Sequence, residues 1–288
     1  MIKIETYVIR ESITVKRFLL ERLQLSRRRI TALKEDGCLT VNGVPRTVRH
    51  LLQEGDTLTL RFTEKNSFLL PESGDLNILA ENEDYLILEK PCGMPVHPSK
   101  GHPTGTVGNF LQYRYESQGK DFSLHLITRL DKDTSGLVLI ALNSHSAQKL
   151  NDSVKAGEIQ KTYYAVVDGS FPFSGRISLP IERQGETFFR TVSPQGKRAE
   201  TEFCFCGENN GKTLLKISLL TGRTHQIRVH FSFLGHPLTG DPLYGKSEAG
   251  RLMLHMHSLA FRDPMDGHSV SVVSPVPKEF ADLFPNVL

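Results

Sequence analysis

The stretch "TRLDKDTSGLVLIALN", residues 128–143, decides the fold. A dense polar run from Arg129 to Gly136 separates Leu124, Leu126 and Ile127 from the apolar run Leu137 to Leu142. Asp133, Thr134, Ser135 and Gly136 are turn formers, so the segment reads as a loop entering a buried strand, with Arg129 and Asp131 at the rim of a sheet. Working outward, "NILAENEDYLILEKP" reads as two strands about a turn, and "SAQKLNDSVKAG" as a helix closed by Gly157. "IQKTYYAVVDG" alternates as a strand, and "AETEFCFCGENNGKTLLKISLL" reads as a hairpin about Asn209-Asn210-Gly211. "TGRTHQIRVHFSFLG" reads as a further strand, and "LMLHMHSLAF" with "SVSVVSP" as a final pair. Strands dominate and helices are interspersed irregularly. The expectation for residues 77–288 is an α+β body on a mixed, mainly antiparallel sheet. No G-x-G-x-x-G or G-x-x-x-x-G-K-[ST] occurs, which argues against a Rossmann or P-loop enzyme.

The 288 residues, 39% hydrophobic and 23% charged, suit one or two globular domains. No apolar run approaches a membrane span, and the first residues, "MIKIETYVIRESITVKRF", carry no signal-peptide h-region. Cys38, Cys92, Cys204 and Cys206 are too few and scattered for a disulfide framework, so the cytoplasm is the expected compartment. Cys204-x-Cys206 lacks zinc-ribbon spacing and reads as two positions on one strand face.

Charge divides the chain. Residues 1–65 hold 13 Lys+Arg against 8 Asp+Glu, a balance of +5, and the remainder holds 22 against 24. That is the pattern of a basic anchoring module joined to a nearly neutral body. In the module, Ser12 is placed to cap a helix with apolar face Val15, Phe18, Leu19 and Leu23. Ser26 is placed to cap a second helix through Ile30 and Leu33. Its first turn, Arg27 to Arg29, sets three cations against the helix dipole. Those cations form either a solvated basic face or a contact to phosphates. "CLTVNGVPRTVRHLL" reads as a hairpin turning at Asn42-Gly43, and "EGDTLTLRF" as a closing strand. Residues 66–76, with Pro71, Glu72, Ser73 and Gly74, read as a linker.

Three polar clusters compete to carry chemistry: the Asp131 loop, "GRTHQIRVH" and "KPCGMPVHP" with Lys90 and His97. Read as a strand, the second points Gln226, Arg228 and His230 to one face and Ile227, Val229 and Phe231 to the other. An arginine held there can keep a carboxylate such as Asp131 ionised and oriented; an ordinary inter-strand ion pair is the alternative. His255-x-His257 and the neighbouring histidines lack an H-E-x-x-H or other ligand spacing, so no metal is expected.

Taken together, "EKPCGMPVHPS", "TRLDKDTSGLVLIAL", "QKTYYAVV", "TGRTHQIRVHFSFLGHPLTGDPLYG" and "LMLHMHSLAF" resemble, in order, the RluA/RluD-type pseudouridine synthases, from about Asn77 to Pro275. Residues 12–62 resemble the S-four-type RNA-binding domain, a small α/β module common at the N-terminus of that family. The resemblance implies an isomerase that turns uridine into pseudouridine in structured RNA without a cofactor. Large-subunit ribosomal RNA is the first expected substrate and transfer RNA the second. It assigns Asp131 as the catalytic aspartate, Arg228 as its basic partner and Tyr163 as the tyrosine against the target base. Arg129 would fill the gap left by the flipped nucleotide, with Lys161, Arg223 and His225 near the RNA. Arg27, Arg28, Arg29, Lys34, Arg46 and Arg49 would contact RNA from the module. The family's H-R-L-D reads T-R-L-D here, with Thr128 in the histidine position. A monomer is expected. Two other classes stand beside this one: an RNA-binding protein without catalysis, and a metal-dependent hydrolase built on the histidines.

Overall fold

In a computed structural model, the described residues are all except 1, 24, 26–29, 32, 34–37, 64–68, 100, 121 and 246–249. The Arg27, Arg28, Arg29 and Lys34 expectations fall outside them. The chain divides into two compact units, Met1–Phe68 and Leu69–Leu288.

The first unit holds β1 (Ile2–Val8), β2 (Ile13–Thr14), α1 (Val15–Arg17), β3 (Leu39–Val41), β4 (Val44–Pro45), β5 (Leu51–Leu52) and β6 (Thr57–Thr63). Its main sheet has the order β1-β6-β3-β4, and β2 pairs with β5. Strand β1 lies ahead of the elements expected for the module. Helix α1 is capped by Thr14 rather than Ser12: the Thr14 hydroxyl accepts a hydrogen bond from the Arg17 N–H at 3.4 Å. A π-helical turn, Phe18–Arg22, continues it. The β3–β4 turn is Asn42-Gly43, both at positive φ (51° and 78°), as an N-G turn demands. Val15, Leu19, Leu39, Leu52, Leu58 and Leu60 fill the core.

The second unit is built on a ten-stranded sheet. Its strands include β7 (Asn77–Glu81), β8 (Tyr85–Lys90), β9 (His125–Leu126), β10 (Ser135–Ala141), β11 (Gln160–Asp168) and β12 (Gly175–Ser178). A separate ribbon pairs β13 (Ile181–Arg183) with β14 (Arg190–Val192). The sheet is completed by β15 (Glu200–Asn209), β16 (Lys212–Leu219), β17 (Leu254–Arg262) and β18 (Ser269–Val273). Its order is β12-β15-β16-β11-β17-β10-β8-β7, with β18 beside β17 and β9 beside β10. Among the described residues, only β10 and β17 pair in parallel. The helices are α2 (Val107–Ser117), α3 (Ser144–Ala156), α4 (Gln226–Phe233) and α5 (Lys278–Leu283).

Strand β10 is buried at all seven positions, which is why it reads as an unbroken apolar run. Each of its large aliphatic side chains contributes about 1.5–3 kcal/mol by burial. Gly136 opens it at φ 112°, and a Cβ there would stand 2.3 Å from the Met256 carbonyl oxygen. Only glycine lets β10 pack against β17 at the mouth of the Asp131 loop.

Two further expectations are corrected. Most of the segment expected as a linker packs on the second unit: Leu69 is buried in its core, and the Asn109 side chain donates to the Leu70 carbonyl at 2.7 Å. The segment expected as a strand around Arg228 is helix α4. Its polar and apolar residues alternate, which mimics a half-buried strand, yet residues 226–231 are all buried. On a helix, Ile227 and Phe231 stack into the core, while Gln226 and His230, also four apart, both reach the Thr201 hydroxyl, at 3.0 and 2.9 Å.

Candidate active site

The Asp131 loop is held mainly through its backbone. The Asp131 carbonyl accepts from the Thr134 N–H at 3.2 Å, and the Lys132 carbonyl accepts from Gly93 N–H at 3.0 Å and from the Lys90 ammonium at 2.8 Å. Lys90 is fully buried, donates also to the Pro91 carbonyl, and burial pulls its pKa down to about 8. Upstream, Thr128 takes up the end of β10: its hydroxyl accepts from the Leu139 N–H at 2.9 Å.

A second set of groups holds the other end of the loop. Ser135 accepts a hydrogen bond from Arg251 and lies 2.9 Å from His255 Nδ1. His255 Nε2 lies 3.2 Å from the Ser274 hydroxyl, which donates to Glu89 at 2.6 Å. Every proton along this chain has one acceptor if Ser135 donates to Nδ1 and Nε2–H donates to Ser274. Burial lowers the His255 pKa to about 4, keeping the imidazole neutral. His257 lies 2.8 Å from the Ser274 carbonyl. His255 therefore engages both Ser135 and Ser274, and His257 engages Ser274 alone of the two.

The Asp131 carboxylate stands 26% exposed, with Arg228 Nη1 at 3.4 Å and His225 Nε2 at 3.9 Å. Arg228 is itself clamped. Its Nε and Nη2 donate to the two oxygens of Asp241 at 2.8 and 2.7 Å, and both side chains are out of solvent. Asp241 also accepts from the Leu243 and Tyr244 N–H groups. Burial works against the Arg228 charge, but the two carboxylates outweigh it and raise its pKa. Burial likewise opposes the Asp241 charge, and Arg228 with the two backbone N–H groups overcomes it and lowers that pKa. One fork of the guanidinium is thus spent on Asp241, which aims the other at Asp131.

His225 caps α4 in the left-handed conformation (φ 58°). Its Nδ1 lies 2.8 Å from the Tyr244 hydroxyl, which also accepts from the Arg190 N–H at 2.9 Å. Burial holds the His225 pKa down, Asp131 opposing and Arg228 and Arg190 assisting. The Tyr244 ring lies under the Arg228 guanidinium, 5.2 Å away. Tyr163 is buried on β11, and its pKa is raised by burial and then by the Asp131 charge.

The fold therefore brings Arg228 and His225 to Asp131, and sets Tyr163 near enough to feel the Asp131 charge. Arg129 and Arg223 are exposed, and Arg223 donates to the Arg198 carbonyl at 2.9 Å. Lys161 is half-buried and its pKa is lowered by burial. Arg46 and Arg49 are exposed on the first unit. Sequence reasoning missed Asp241 and Tyr244, although Asp241 is the only carboxylate between Glu208 and Glu248 and lies thirteen residues beyond Arg228. Among the described residues, Asp263, Asp266 and His268 form a group of possible metal ligands, but Asp263 and Asp266 accept hydrogen bonds within their own turn.

The mixed sheet thus presents a loop carboxylate to an arginine locked by a second, buried carboxylate. Residues 84–233 match the family model described as RNA pseudouridylate synthase, and the chain belongs to that family. It is 39% identical over 277 residues to the Bacillus subtilis protein named uncharacterized RNA pseudouridine synthase YjbO, covering 94% of this chain and 98% of that one. It is 33% identical to the Pseudomonas aeruginosa protein named ribosomal large subunit pseudouridine synthase D, covering 88% of this chain and 85% of that one. Among solved structures it resembles human RNA pseudouridylate synthase domain containing 1, with a TM-score of 0.60 and 27% identity over 74% of this chain and 89% of that one. The protein is an RNA pseudouridine synthase, an isomerase acting on RNA.

Proposed function

We propose that this enzyme isomerises uridines in large-subunit ribosomal RNA, with Asp131 as the nucleophile. One observation carries the assignment of Asp131: it is the partly exposed carboxylate of the site, and it faces a guanidinium whose other edge is locked by a buried carboxylate. A nucleophile must be reachable and oriented, and that pairing supplies both. The names of the relatives similar to this chain along most of its length support the ribosomal substrate.

Isomerisation breaks the bond from uracil N1 to the ribose, turns the base and rejoins the ribose at C5, whose proton is lost as N1 gains one. The base must leave its stack first, at a cost of about a few kcal/mol. Arg129, exposed two residues before Asp131, takes the vacated space. Tyr163 lies against the base. Its raised pKa keeps the hydroxyl protonated in the resting enzyme, which supports a packing and donor role over a phenolate base. Lys161, Arg223 and His225 hold the surrounding RNA. The first unit acts as an S-four-type RNA-binding module through Arg27, Arg28, Arg29, Lys34, Arg46 and Arg49. The four unpaired cysteines support a cytoplasmic enzyme, here taken as a monomer. No helix among the described residues is long and apolar enough to cross a membrane.

The test is carbodiimide mapping of pseudouridine in total RNA from cells with and without the gene. Loss of one or a few sites in large-subunit ribosomal RNA, restored by wild type and not by Asp131→Asn, is the expected result. Restoration by Asp131→Asn would remove the nucleophile assignment, and a lost site in transfer RNA would move the substrate.

A further inference from the structure

A second feature lies beside the site. A cleft of about 400 Å³ runs between the β13–β14 ribbon and residues 222–224, and Arg183, Arg190, Lys197 and Arg223 line it with one acid, Glu182. Arg183 and Arg190 are directly opposed in the ribbon register. Like charges facing each other across an antiparallel pair destabilise it, so this pair costs the fold something. Among the described residues, none of the four cations is ion-paired. Arg183 donates to the Glu186 and Thr187 carbonyls, Arg190 to those of Phe188 and Phe189, and Arg223 to that of Arg198. Their guanidinium groups are held in place with their charge uncompensated.

The turn joining the two strands adds an aromatic step. Phe188 is 62% exposed, and its ring stacks on Phe189 at 4.8 Å and 26°. Phe189 meets Tyr244 edge-on at 6.0 Å, and Tyr244 lies under Arg228. The Arg190 N–H ties the ribbon to the Tyr244 hydroxyl. Residues 196–197 are held against the ribbon as well: a Cβ on Gly196 would stand 2.6 Å from the Ile181 backbone. A rigid ladder of rings therefore runs from solvent to the guanidinium that faces Asp131.

We propose that this cleft holds the RNA strand next to the reacting uridine, its phosphates against Arg183, Arg190, Lys197 and Arg223 and one unpaired base stacked on Phe188. Uncompensated cations select a polyanion, and an exposed ring beside them selects a base, since every base offers a π-face. The site sets which flanking nucleotide geometry is accepted, so it is a specificity site rather than a catalytic one. The proposal rests on the reading that Asp131 marks the reacting uridine.

The test is tritium release from in-vitro-transcribed, [5-³H]uridine-labelled large-subunit ribosomal RNA of the cell that carries this gene. KM and kcat are measured for wild type, Phe188→Ala, Phe188→Trp, Phe173→Ala and Arg183→Gln/Lys197→Gln. Stacking on an aromatic is worth about a 5- to 150-fold change in affinity when the ring is removed. Phe188→Ala should raise KM within that range with a smaller fall in kcat, and Phe188→Trp should restore it. Phe173→Ala removes an equally exposed ring, 61%, on the segment between β11 and β12 rather than on the β13–β14 turn, and should leave KM unchanged. The double charge variant should flatten the salt dependence of binding by about 0.7 for each phosphate no longer neutralised. KM within twofold of wild type in Phe188→Ala, or an equal effect in Phe173→Ala, overturns the stacking site; an unchanged salt slope overturns the phosphate track. Wild type that releases no tritium removes the substrate reading and this proposal together, whereas active wild type with unaffected variants removes only the proposal.

Discussion

Replacing each of the two carboxylates that flank Arg228 by asparagine should produce opposite phenotypes. In Asp241→Asn the Oδ1 position can still accept from Arg228 Nη2, Leu243 N–H and Tyr244 N–H. The Oδ2 position becomes an N–H₂ donor facing the Arg228 Nε donor, now 2.8 Å away. One charge-assisted bond is lost, and a guanidinium only 2% exposed loses its close counter-charge. Breaking a buried pair from one side costs about 3–5 kcal/mol, and the retained hydrogen bonds put this case near 3 kcal/mol. For a unit of this size that corresponds to a fall in Tm of about 6–12 °C. The Arg228 fork is then free to turn, and kcat should drop by up to about 100-fold, the scale set by displacing a positioned group by about 1 Å. Asp131→Asn differs in each respect. Asp131 is 26% exposed, its contact is longer at 3.4 Å, and Arg228 keeps Asp241. Its stability cost should stay under about 1 kcal/mol while activity is abolished. Circular dichroism melts and tritium release from labelled RNA read the two quantities on the same preparations. Equal destabilisation by both variants, or an unaltered melt in Asp241→Asn, would refute the view that Asp241 supports and Asp131 reacts.

Three further outcomes are expected. Gly136→Ala should cost about 3 kcal/mol or more, because its Cβ meets β17 backbone at 2.3 Å and φ is 112°; a melt unchanged within error would contradict the close approach. His255 is held near pKa 4 in the folded chain against 6.5 unfolded, so the unfolded state binds the proton first. Its contribution, about 3 kcal/mol, is present above pH 6.5 and is lost as pH falls toward 4. Urea melts of wild type and His255→Gln between pH 4 and 7 should therefore differ in slope, and parallel curves would count against it. Lys90→Met removes the ammonium that holds the Pro91 and Lys132 carbonyls, although Lys132 keeps Gly93 N–H. It should lower kcat more than it raises KM, and a change confined to KM would show that Lys90 does not position the Asp131 loop.

Much of this protein is written locally. Strand β10 is an apolar run because both its faces are covered, and the N-G and N-N-G turns declare their hairpins through positive φ. The Asp131 loop is legible because turn formers and the carboxylate occupy the same eight residues. The helix around Arg228 was not legible. Its alternation satisfies a two-residue period, and only the tertiary structure, by burying residues 226–231 and giving Gln226 and His230 a shared partner in Thr201, selects the helical one. Asp241 was equally hidden, because a carboxylate's role depends on which charge it meets after burial. The chain from Arg251 through Ser135, His255 and Ser274 to Glu89 joins residues from distant parts of the sequence. Sequence by itself determined β10, the hairpin turns and the polar loop that carries Asp131, since those follow from local periodicity and backbone geometry. Tertiary structure alone decided how Arg228 is aimed, because the energy that aims it comes from pairing two charges taken out of water together.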